Sequence, residues 1–171
     1  MNKLSLDKAQ IWQQVCALYQ NNSVQKICLN WQEQHQANVN LILILSWLEY
    51  KSYRFSEPQL TQLLIKLNEF NQHTTGLIRQ ARFNWRNYQT EADYQTIKQA
   101  LLTAELMFEQ QEQALIIDTL NQYLASPTPT TKTLAPFNWY AQTLKLNLTD
   151  STEFESIIGK QLSLPSHQPS Q

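Results

Sequence analysis

Apolar residues recur at helical spacing along most of the chain. Ile11, Val15, Leu18 and Tyr19 form a stripe that Trp12 and Cys16 widen, predicting a first helix over residues 6–19 with Ser5 as N-cap. After Asn21-Asn22, Ser23 is placed to cap a second helix over 24–34 carrying Val24, Ile27, Cys28 and Trp31. Asn38 caps a third over 39–51, where Leu41 to Leu45, Trp47 and Leu48 cover nearly every direction around the axis. A helix apolar all round is buried all round, so this segment is expected at the centre, with Trp47 inside. Ser56, Pro58 and Gln59 open a fourth helix bearing Leu60, Leu63, Leu64, Leu67 and Phe70. Thr74-Thr75-Gly76 is poor in helix propensity, which predicts a break within 72–76 before helicity resumes over 77–86. Thr90-Glu91-Ala92-Asp93 resembles a capping box and starts a fifth helix that runs to about residue 124, lined by Ile97, Leu101, Ala104, Phe108 and Leu115 and widened by Leu102, Leu106, Ile116 and Leu120.

Beyond this the pattern changes. Ser126-Pro127-Thr128-Pro129-Thr130-Thr131-Lys132-Thr133 cannot be helical and reads as an extended linker. Two short helices are expected over 136–146 and 151–162, then a polar, disordered end over 165–171. The expected architecture is all-α: a compact bundle of about five main helices around a buried central one, plus short C-terminal helices. Its expected divisions are a helical core at 1–125, a Pro/Thr-rich linker at 126–135 and a helical appendage with tail at 136–171. On that division, removing 126–171 should leave the core folded.

Composition narrows the function classes. Charged residues make up 16% of the 171, and the shortfall is filled by Gln and Asn, about one residue in five. Gln keeps a helical surface polar without charging it. The chain has two glycines, Gly76 and Gly159, which argues against the Gly-dependent hairpins and phosphate loops of all-β, Rossmann and P-loop folds. A net charge of −1 gives no general attraction to nucleic acid or anionic membrane. The first residues have no apolar core of a signal peptide, and the strongest apolar run, 39–45, is too short to span a bilayer. A cytoplasmic setting is therefore expected. In that setting Cys16 and Cys28 read as small buried hydrophobes rather than a disulfide.

Candidate chemistry is sparse. His35, His73 and His167 lie at no ligand spacing, so no metal or other cofactor is expected. No nucleophile elbow occurs. Cys28 and His35 lie one heptad apart, and the reading preferred for Cys28 is a buried structural thiol. Arg79, Arg82 and Arg86 repeat at i, i+3, i+7, and Glu105, Glu109 and Glu112 stand on the following helix. If the two helices form an antiparallel hairpin about 89–93, Arg79 falls opposite residues near 104. Arg79 and Arg82 are then expected to face inward and reach Glu105, with Glu109 as second acceptor, since a half-buried guanidinium without a carboxylate is costly. The sharper alternative is a polar pocket of Gln32, Asn38, Asn40, Arg79, Arg82, Glu105 and Glu109, able to hold an anion through its arginines. Residues 79–86 also interleave basic and aromatic side chains, as single-strand binders do. Phe83 and Trp85 sit about 200° apart on a helix and cannot form one stacking platform, so nucleic-acid binding ranks below the other readings.

Trp12, Tyr19, Val24, Cys28-Leu29 with Gln32, Asn38-Val39-Asn40-Leu41 and Trp47-Leu48 resemble the leading signature of an uncharacterised proteobacterial family of helical proteins, catalogued as a domain of unknown function (family 2390). Leu77-Ile78-Arg79-Gln80-Ala81-Arg82 resembles its second block and Glu105-Leu106-Met107-Phe108-Glu109 its third, so the likeness covers roughly residues 11–120. Two positions depart from it. Gln36 stands where the family has Gly, which alters the turn between helices two and three, and Asn38 stands where it has Asp, which keeps a cap but removes a charge. The resemblance implies a cytoplasmic bacterial helical protein and supplies no activity. Without a catalytic constellation, the expected function is that of a small interaction or scaffold protein whose partner is another protein; the alternative is a ligand-binding protein or enzyme built on the polar cluster.

Overall fold

Capping residues set where the helices begin. In the computed structural model, which describes residues 5–126 and 132–164, α1 (Lys8–Tyr19), α2 (Asn22–His35) and α3 (Val39–Tyr50) follow one another through short turns. Asn21 rather than Ser23 caps α2, its Oδ1 accepting the N–H groups of Ser23 at 2.9 Å and Val24 at 3.3 Å. Asn38 caps α3 as expected, accepting the N–H of Leu41 at 2.9 Å. The first helix starts later than its stripe suggests because the Asn121 amide claims the backbone of Leu6. The Leu6 N–H donates to Asn121 Oδ1 at 2.7 Å, and Asn121 Nδ2 donates to the Leu6 carbonyl at 3.0 Å.

The rest of the chain forms α4 (Glu57–His73), α5 (Thr75–Trp85), a 3-10 turn at Arg86–Tyr88, α6 (Tyr94–Ala125), α7 (Pro136–Thr143) and α8 (Leu148–Ser163). The fold is all-α. Its small exception is a pair of two-residue strands, β1 (Phe55–Ser56) and β2 (Thr133–Leu134), antiparallel with Phe55 opposite Leu134 and Ser56 opposite Thr133. Thr133, expected in a free linker, is therefore paired. The remaining expectations for 127–131 and for the end of the chain at 165–171 lie outside the described residues.

The structure groups the elements differently from the expected core, linker and appendage. Among the described residues, one compact unit consists of 9–57 with 132–164 and the other of 5–8 with 58–126. In the first, α3 is buried on all sides from Leu41 to Leu48, Trp47 included. The fully buried rings of Trp31, Phe137 and Phe154 join α2, α7 and α8, with centroids 6.2 Å apart for Trp31–Phe137, 5.0 Å for Trp31–Phe154 and 5.3 Å for Phe137–Phe154. Ala135 has no side chain able to cap α7, and Glu49 of α3 does so instead, Oε2 accepting the N–H of Phe137 at 2.8 Å and of Asn138 at 3.0 Å. The segment expected to be an appendage thus completes this unit's core.

In the second unit α4 buries Leu60, Leu63 and Leu67, and the C-terminal half of α6 buries Ile116, Ile117 and Leu120. The break expected within 72–76 falls at Thr74, whose φ of −137° and ψ of −94° leave the helical region. Gly76 makes the tight junction possible, since a Cβ there would stand 2.8 Å from the Asn71 carbonyl oxygen.

Candidate functional site

Charge is concentrated on the hairpin of α5 and α6. Glu105, Glu109 and Glu112 lie at i, i+4, i+7 along α6, one face of the helix, in register with the buried Ile116. Thr75, Arg79 and Arg82 repeat the same spacing along α5. Arg82 reaches Glu105, Arg79 bridges Glu105 and Glu109, and Thr75 reaches Glu112, so partners rise along α6 as they fall along α5. That is the antiparallel register the sequence predicts. Trp85 closes the tip. Its Nε1–H donates to the Tyr94 carbonyl at 3.0 Å, and its ring stacks on Tyr88 and Tyr94 with centroids at 5.3 and 5.9 Å.

The hydrogen bonding within the cluster is dense. Arg82 binds Glu105 in a fork, Nε–H to Oε2 and Nη2–H to Oε1 at 3.3 Å. Arg79 Nε–H donates to Glu105 Oε1 at 3.0 Å and Nη2–H to Glu109 Oε1 at 3.2 Å. Farther along, Glu112 Oε2 accepts from Asn71 Nδ2 at 3.1 Å and from the Thr75 hydroxyl at 3.3 Å. Glu105 is 7% exposed, Glu112 2% and Thr75 0%. At Glu105 burial pushes the carboxyl up, but the hydrogen bonds and charges of Arg82 and Arg79 outweigh it and hold the group below the ordinary carboxylate value. Glu109 goes the other way. Burial pushes it up, Arg79 offsets only part of this, and the neighbouring Glu105 and Glu112 raise it further.

Chemically this arrangement clamps two helices. Both arginines already direct two of their five donors onto carboxylates, so an incoming anion competes with Glu105 and Glu109 for the guanidinium charge. The seven residues expected in one polar pocket belong to two units. Arg79, Arg82, Glu105 and Glu109 assemble in the unit of 58–126, whereas Gln32, Asn38 and Asn40 belong to the unit of 9–57. There Asn38 caps α3 and donates its N–H to the Tyr140 hydroxyl at 3.0 Å. Sequence reasoning missed that Glu112 completes the cluster with Asn71 and Thr75; the i, i+4, i+7 spacing of the three glutamates carries that signal. Cys28 is fully buried, and burial pushes its thiol up to about 12, which leaves it inert as a nucleophile at neutral pH. Among the described residues no group of three His, Cys, Asp or Glu side chains is placed to hold a metal ion, and no helix is long and apolar enough to cross a membrane.

No curated protein and no solved structure matches the chain. A family described as "Protein of unknown function (DUF2390)" matches residues 10–116, which takes in α2 to α5 and the α6 carboxylates. Since that span is more than half of the 171 residues, the chain belongs to the DUF2390 family.

Proposed function

We propose that this protein is a small bacterial cytoplasmic interaction module that docks another protein through the α5–α6 hairpin. The observation that carries this reading is that the hairpin turns its ions inward and its apolar side chains outward. Arg79, Arg82 and Glu105 satisfy one another between the helices. Leu77 and Phe83 on α5 are 60% and 59% exposed, and Leu106 and Met107 on α6 are 50% and 62% exposed. Several large apolar side chains exposed on one hairpin support a protein-binding surface there. The pairing also takes two of the three arginines out of the basic stretch 79–86, which weakens the nucleic-acid reading. Affinity capture from the native host tests the proposal with two variants. Leu106→Glu with Met107→Glu should lose a partner that the wild type holds, at unchanged melting temperature. Leu148→Glu, at an 81% exposed site in the other unit, should retain it. Identical capture by all three proteins would overturn the reading.

A further inference from the structure

The α5–α6 hairpin is an arm that leaves its apolar residues uncovered. Among the described residues of 77–111, Glu105 alone is buried, and every apolar side chain of that span is half-buried or exposed. Helices draw most of their stability from an apolar face pressed on a neighbour. The arginine clamp sets the register of this pair but leaves that contribution unmade.

The uncovered residues sort onto sides of the arm. Arg82 and Glu105 point at each other between the helices. The next residue on each helix turns by about 100°, and because the helices are antiparallel both turn to the same side. Phe83 and Leu106 therefore share a side, and Leu102 joins Leu106 one turn away, all three exposed. Phe83 stands one residue beyond the level where Arg82 meets Glu105, which places it midway between Leu102 and Leu106 along the arm. Met107, a further 100° or so around α6, turns away from this side. Charge is divided between the helices. α5 carries Arg79 and Arg82 and no acid, and Arg86 follows it with its guanidinium 5.4 Å from the Phe83 ring centroid. Over the same length α6 carries Glu105, Glu109 and Glu112 against one base, Lys98.

We infer that this side of the arm binds a second copy of the chain, the two arms related by a two-fold axis along their length and forming a four-helix bundle. The inference rests on the docking role proposed for the hairpin and names its occupant. Such a rotation lays α5 of one copy over α6 of the other and keeps each residue at its own level. Phe83 of each copy then enters between Leu102 and Leu106 of the other. The basic helix of each copy lies on the acidic helix of the other, whereas an axis across the arm would set basic on basic and acidic on acidic. The face thus carries both halves of its own complement, which is what an isologous contact requires. Its size sets the strength. A face about 20 Å long and about 20 Å wide offers roughly 400 Å² per copy, about half of what a stable pair buries. The dimer is therefore reversible, with a dissociation constant on the order of 10–100 μM.

Analytical ultracentrifugation of the purified full chain, from about 1 to about 500 μM, tests this. The mass should rise with concentration from that of one 20.0 kDa chain toward that of two. Phe83→Lys and Leu106→Glu, both at exposed positions, should each stay monomeric at the wild-type melting temperature, and Met107→Glu should dimerise as the wild type does. Mixing Phe83→Lys with Leu106→Glu should recover the dimer. In that pair one contact joins the new lysine to the new glutamate, and the other is that of the wild type. A wild type monomeric throughout, a dimer indifferent to both substitutions, or a mixture that recovers nothing overturns the second copy. A monomeric wild type whose host partner is still lost on Leu106→Glu with Met107→Glu overturns this inference and leaves the docking reading standing, whereas capture unchanged by that variant overturns the docking reading itself.

Discussion

Gln36 occupies a backbone position that suits glycine. It ends α2 with φ at 55° and ψ at 32°, in the left-handed region. The family likeness places glycine there, and the structure shows that this departure leaves the left-handed turn in place with a side chain that strains it. Gln36→Gly should therefore raise stability by about 1 kcal/mol, read as a higher denaturation midpoint at unchanged slope. The two true glycines should respond oppositely to alanine. At Gly76 the new Cβ meets backbone 2.8 Å away, so Gly76→Ala should cost about 1–3 kcal/mol by forcing α4 and α5 apart. At Gly159, inside α8, a Cβ meets nothing within 4 Å, and Gly159→Ala should add about 0.5–1 kcal/mol of helix propensity. The sequence sets Gly76 at a break and Gly159 inside a helix, but it does not show what stands beside each Cα.

Among the elements, the α5–α6 hairpin carries the chemistry that was legible in advance. Its connection is short and helix rise is fixed, so the pairing of Arg79 and Arg82 with Glu105 follows from residue spacing. Glu105→Gln should cost about 2–4 kcal/mol, since it leaves two half-buried guanidiniums short of charge, and a double-mutant cycle with Arg82→Met should show coupling above about 1 kcal/mol. The pH dependence has a defined sign. The Glu105 carboxyl is held below its ordinary value of 4.5 in the folded protein, so its contribution is complete above that pH and is lost as pH falls through the folded value. Glu109 is raised, so its folded form favours the proton, and its contribution is largest at low pH and is lost as pH rises through its folded value. Unfolding followed between pH 7 and the acid limb should show a shallower acid loss in Glu105→Gln than in wild type. The caps were legible less evenly. Asn38 is followed by an apolar run and admits one reading, whereas Asn21, Asn22 and Ser23 offer three adjacent capping residues, and the side-chain geometry selected Asn21.

At the scale of the whole molecule, local periodicity shows that α7 and α8 each have an apolar face but not what covers it. The covering residues, Trp31 and the α3 stripe, lie far upstream, so the sequence pattern reads as an appendage where the fold has a core. Phe154→Ala should cost about 3–5 kcal/mol, the price of a cavity beside two buried rings. A chain ending at residue 126 should lose the fixed packing of its first three helices and bind a hydrophobic dye, because Trp31 and α3 would face water. The interleaving of the two units also bears on the order of events during translation. Residues 58–126 leave the ribosome as a continuous run between the two parts of the other unit. The most apolar helix of the protein, α3, is made before them, and the Phe137 and Phe154 rings that shield its neighbourhood are made after them. Until α7 and α8 emerge, the nascent chain carries α3 without the rings that cover its neighbourhood, so the first unit can complete its core only after α8 has been made.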